Sequence, residues 1–178
     1  MKNFIVFVIA VFSITLVAKA QSSSATSYVA LVDSAHDNKK MLEGIITKND
    51  LINDPAFNNW YAESQRIYPR PDADAVAAFS KNRDKIYFLI FGGTWCEDTH
   101  FILPKFYKTL EASGFPENRV TVFAVNHKMA TTGNLAKALN ITHTPTIVVM
   151  RDGKELGRVV EYGKSGHWEK ELTEIINQ

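Results

Sequence analysis

Residues 86–91, Ile-Tyr-Phe-Leu-Ile-Phe, form a short, continuous apolar run, the pattern of a buried strand. Gly92-Gly93-Thr94 then reads as a turn. Beyond it Phe101, Ile102, Phe106, Tyr107 and Leu110 recur at helical spacing, and Ser113-Gly114 ends that helix. A second strand is predicted over residues 120–125 and a short helix over 134–139. Two β-rich runs, 146–150 and 156–162, flank Arg151-Asp152-Gly153-Lys154, and Asp-Gly between such runs signals a hairpin. Ser165 opens a last helix, with Trp168, Leu172, Ile175 and Ile176 on one face. The order is strand, helix, strand, helix, hairpin, helix. The first two strands should run parallel through a right-handed crossover, and the hairpin adds antiparallel strands. The expected class is α/β, a central mixed sheet flanked by helices.

Upstream the pattern differs. Residues 28–84 read as a mainly helical N-terminal extension to an α/β domain over 85–178. Asp50 is expected to cap a helix continuing through Leu51, Phe57, Trp60 and Tyr61, with Pro55 early in it. Pro69 and Pro71 break the chain, and residues 72–79 restart a helix with acids in its first turn. Residues 21–27, Gln-Ser-Ser-Ser-Ala-Thr-Ser, read as a flexible linker.

Residues 1–20 have the pattern of a signal peptide: Lys2, an apolar stretch over 4–17, then Ala18-Lys19-Ala20. Cleavage is expected before Gln21, giving a periplasmic or secreted protein. The apolar stretch is short for a membrane span and no charged stop-transfer flank follows, so no stable membrane anchor is expected. No cysteine lies near the cleavage point to carry a lipid.

The 178-residue chain carries 20 basic and 19 acidic residues. Without Lys2 and Lys19 the basic count is 18, a net charge of −1. That balance gives no electrostatic footprint for nucleic acid. There is no Walker loop, dinucleotide fingerprint or Gly-x-Ser-x-Gly, and no cofactor is implied. Glu97 and Asp98 are adjacent on a helix and point apart, unlike a facing acid–base pair.

One cysteine is present, Cys96, in Trp95-Cys96-Glu97-Asp98-Thr99. An oxidising compartment favours disulfides, but one cysteine makes none within its own chain. At a helix start, free N–H groups and the helix dipole favour a thiolate, while the Glu97 and Asp98 carboxylates oppose it.

From about residue 80 onward the chain resembles the thioredoxin fold. The resemblance rests on Trp95-Cys96, Pro104 in the following helix, Thr144-Pro145-Thr146, the Asp152-Gly153 hairpin, Gly163 and the last helix, in that order. With its extension the chain is similar to exported thioredoxin-family proteins of Bacteroidetes type. The resemblance implies a cis Thr144-Pro145 bond in a loop facing the cysteine. It casts Cys96 as nucleophile, Thr99 as a thiolate neighbour, and Trp95, Thr144 and Pro145 as substrate contacts. Two departures stand out: Thr99 replaces the resolving cysteine, and Ile90 replaces the buried acid of the preceding strand.

A hydroxyl at Thr99 can donate to a thiolate but cannot attack a disulfide, so an outside thiol must resolve any mixed disulfide at Cys96. Monothiol exchange with protein thiols or disulfides, or with low-molecular-weight thiols, is the leading expectation. A non-catalytic binding or holdase module is the second. The third is a copper carrier using Cys96, His100 and His143, a soft thiolate with two imidazoles. His36, His127 and His167 show no constellation along the sequence.

Overall fold

The computed structural model describes residues 27–68 and 70–178. The signal segment over residues 1–20, its cleavage point, all but the last residue of the linker, and the break at Pro69 lie outside the described residues.

Along the chain lie β1 (Tyr28–Asp33), β2 (Lys39–Ile46), α1 (Lys48–Ile52), α2 (Asn58–Ile67) and α3 (Ala73–Asn82). They are followed by β3 (Ile86–Gly92), α4 (Glu97–Ser113), β4 (Val120–Ala124), α5 (Leu135–Ala138), β5 (Thr146–Arg151), β6 (Lys154–Val160) and α6 (Trp168–Ile176). The strands form one sheet in the order β1-β2-β4-β3-β5-β6. β3 and β4 are parallel, and every other neighbouring pair is antiparallel. A mixed sheet with flanking helices and helices ahead of it is a thioredoxin-like α/β fold with an N-terminal helical extension.

The continuous apolar run of β3 follows from its central place. Ile86, Phe88 and Ile90 enter a large core with side chains of α1–α4 and α6, while Leu89 and Phe91 enter a smaller one under α5. Phe79 of α3 lies at the centre of the large core, against Phe88, Phe106 and Phe115 at ring separations of 4.9, 5.6 and 5.9 Å. α2 is tied to α4 by hydrogen bonds from Ser64 and Gln65 to the carbonyls of Phe101 and Pro104. The extension and the sheet thus share one core.

Five local expectations need correction. Residues 28–46 are not helical. They form an antiparallel hairpin, and its β2 pairs Gly44 with Ala124 of β4. The register partner is far away in sequence. Gly44 is required there: its φ is 126°, and a Cβ would come within 2.5 Å of the Ser27 carbonyl oxygen. Asp50 is not a cap but the third residue of α1. Thr47 is the N-cap, and the two side chains bond each other's backbone N–H in a capping box. The expected continuous helix breaks after Ile52, where Asp54 folds a turn through the Ala56 and Phe57 N–H groups.

β6 begins at Lys154 rather than residue 156, because Asp152 and Gly153 (φ 50° and 75°) close the hairpin in two residues. α6 begins at Trp168 rather than Ser165, because Gly163 and Gly166 both take positive φ ahead of it. Asp72, in contrast, caps α3 through the Ala75 N–H. Gly114 ends α4 in the left-handed conformation.

Candidate functional site

Cys96 stands at the junction the sequence indicates, as the N-cap of α4. β3 ends at Gly92, and Gly92-Gly93-Thr94 carries the chain across to the helix. Both glycines are there because side chains lie against the backbone. A Cβ on Gly92 would come within 2.9 Å of the Thr99 methyl, and one on Gly93 within 2.6 Å of the Trp95 indole. The turn is pinned on both sides. Thr94 Oγ1 accepts the Leu42 N–H of β2 at 3.0 Å, and the Trp95 indole N–H donates to the Val125 carbonyl at 2.9 Å.

The Cys96 thiol is part-exposed and donates to the Thr144 carbonyl at 3.2 Å. It makes no capping bond to α4. The Thr144-Pro145 peptide is cis, and both residues are buried. The fold therefore brings Trp95, Cys96, Thr144 and Pro145 together. Thr99 is 1% exposed, packed on Gly92, and its hydroxyl has no hydrogen-bond partner among the described residues. Ile90 is fully buried between Val122 and Ile147, so no carboxylate occupies that position of β3.

The Cys96, His100 and His143 set is not assembled. His100 Nε2–H donates to the Thr94 carbonyl at 2.8 Å, and its ring stacks on Trp60 at 4.2 Å. Burial holds its imidazole below the ordinary value, against the smaller effect of the Thr94 bond. His143 is exposed and meets Thr142 Oγ1 through Nδ1. Helical spacing placed His100 on the face of Cys96, but Trp60 of the extension claims its ring.

Two features gave no sequence signal. Tyr162, just beyond β6, packs against Phe101. Its phenol is pushed up to about 12 by burial, then by the Asp98 carboxylate and by Cys96, so it keeps its proton near the thiol. Against Trp95 lies His127, at 4.0 Å between rings. Its Nε2 and the Nδ1 of His36 both meet Oδ2 of Asp33 at 2.9 Å. Burial raises the Asp33 carboxyl, but the hydrogen bonds from His127, His36 and the Ala35 N–H outweigh it and hold the group below its ordinary value. Asp33 and His127 are far apart in sequence and meet only through the sheet. Among the described residues, no helix is long and apolar enough to cross a membrane.

Fold and junction together define a thioredoxin-fold protein with a single cysteine at the strand-to-helix position and a threonine one turn on. No protein-family model matches the chain. It is 29% identical over 102 residues to a thioredoxin of Echinococcus granulosus, covering 57% of this chain and 89% of that one. Among solved structures it is similar to a protein of unknown function from Pseudomonas aeruginosa, with a TM-score of 0.54 and 14% identity over 73% of this chain and 90% of that one. A thioredoxin of Fasciola hepatica matches at 23% identity and a TM-score of 0.39, over 57% and 86% of the two chains.

Proposed function

We propose that this is an exported monothiol thiol–disulfide exchange protein with Cys96 as its nucleophile. The observation that carries the reading is the part-exposed Cys96 at the α4 N-terminus, in contact with the cis-proline loop. The similarity to a thioredoxin over 102 residues supports it. In the resting contact sulfur is the donor to the Thr144 carbonyl. On ionisation it becomes an acceptor. The carbonyl then repels it, while the N–H groups at the start of α4 attract it.

The Cys96 thiolate attacks one sulfur of a disulfide. A new S–S bond forms to Cys96, the old S–S bond breaks, and the other sulfur leaves as thiolate. An external thiolate, from glutathione-like thiols or a protein, attacks the mixed disulfide and returns Cys96. Trp95 and the Thr144-Pro145 loop border the partner at this step. The N-terminal pattern over residues 1–20, similar to exported thioredoxin-family proteins of Bacteroidetes type, supports an exported location.

Alkylation of Cys96 against pH, native and in denaturant, tests the reading. The expected result is faster reaction in the native protein, and a glutathione mixed disulfide that external thiol reverses. Thr99→Val should raise stability by about 1 kcal/mol, because it removes a buried hydroxyl with no partner among the described residues. Reaction that begins only on unfolding would overturn the proposal and leave the fold as a binding module. The burial of Thr144 and Pro145 favours that second reading.

A further inference from the structure

We propose that Asp33, His36 and His127 form a three-ligand site for a divalent transition-metal ion of the Zn2+ class, with a further coordination position open to solvent. This site is separate from the thiol and does not rest on the exchange reading.

Three donor atoms, from the end of β1 and from the loops after β1 and β4, converge: Asp33 Oδ2, His36 Nδ1 and His127 Nε2, all within 4.8 Å of one another. Each nitrogen is 2.9 Å from the oxygen. An ion about 2.0–2.1 Å from each donor leaves neighbouring donors about 2.9 Å apart at a right angle and about 3.3 Å at the tetrahedral angle. The two nitrogen–oxygen spacings match neighbouring ligands at a right angle around one ion, and the two nitrogens lie within 4.8 Å of each other. Each nitrogen now meeting Oδ2 as an N–H can offer a lone pair instead, with the proton on the other ring nitrogen.

The donors are also held in advance. Asp33 is 2% exposed, and its other oxygen accepts the Ala35 N–H at 3.0 Å, so Oδ2 is presented singly. An outer bond of this kind orients a ligating carboxylate. The loop after β1 is closed by the His36 N–H to the Asp33 carbonyl and the Lys39 N–H to the His36 carbonyl. The loop after β4 is closed around Asn126, whose oxygen accepts the Lys128 and Ala130 N–H groups and whose amide donates to Glu43 of β2. The two imidazoles stack at 5.2 Å, and His127 is backed by Trp95.

The imidazoles are 54% and 33% exposed, which gives an ion a way in. Two imidazole nitrogens and a carboxylate suit Zn2+, Cu2+ and Ni2+ better than Mg2+ or Ca2+. Three protein ligands with an open position form the pattern of reactive zinc sites rather than closed structural ones.

The test is calorimetric titration of the chelator-treated full chain with Zn2+. Wild type should bind one equivalent. His36→Gln and His127→Gln should each weaken binding by more than about 100-fold, beyond the loss an outer partner alone produces. Cys96→Ser and His143→Gln should bind as wild type. Circular dichroism of the metal-free variants controls for folding, and His36 is exposed enough that its variant should fold. A Co2+-loaded sample should show visible d–d bands without a thiolate charge-transfer band. The proposal is overturned by no stoichiometric binding, by binding unchanged in both histidine variants, or by binding lost in Cys96→Ser. The three side chains are then a hydrogen-bonded cluster only.

Discussion

At the residue scale, the site is defined by what each side chain can donate or accept. Cys96 and Thr99 were both legible in the sequence, one as the lone thiol and the other by its place one turn along. The sequence left open that Thr99 is buried without a partner while the thiol donates to Thr144. His100 shows the limit of helical spacing, since the same helix face serves equally for a ligand and for a ring packed under Trp60. Its folded imidazole is depressed below the ordinary 6.5. The unfolded chain therefore takes up the proton first as pH falls, and the folded protein loses stability from about that pH downward until the folded group also titrates. Urea melts between pH 7.5 and 5 should show this loss, and His100→Gln should flatten it. An identical pH slope in wild type and variant would refute the assignment.

At the element scale, the strand-to-helix junction depends on close approach more than on backbone freedom. Gly92-Gly93 reads as a turn in the sequence, yet neither glycine is among those at positive φ. They are small because Thr99 and Trp95 occupy the space where their Cβ atoms would be. Gly93→Ala should therefore cost about 1–3 kcal/mol by displacing the indole. It should also change the fluorescence of Trp95 and the rate of Cys96 alkylation. Unfolding midpoints and an emission spectrum decide this, and an unchanged spectrum at unchanged stability would show that the indole is not held there. The first two strands teach a related lesson. Val29 and Val32 are exposed on edge strand β1, so no alternation marks it as half-buried. Gly44 and Leu42 acquire their roles only from β4, Thr94 and the core.

At the scale of the whole molecule, the segments before and after residue 85 share one core, with Phe79 at its centre. Phe79→Ala should cost about 3–5 kcal/mol, and unfolding should remain a single transition for both segments. Val32→Ala, at a side chain 68% exposed, should stay within about 0.5 kcal/mol. Denaturation followed by far-ultraviolet circular dichroism and tryptophan emission checks both, and separate transitions would mean that the extension folds on its own.

The sequence by itself determined the elements from β3 to α6, the parallel first pair, the hairpin, the class of sheet and the place of the thiol. These features are written in local signals: hydrophobic period, turn chemistry and a helix start. Only the tertiary structure decided that residues 28–46 pair as strands, that His100 is a packing residue, and that Asp33 and His36 meet His127. Each depends on partners distant in the chain, and local propensity carries no record of which distant groups the sheet will bring within hydrogen-bonding reach.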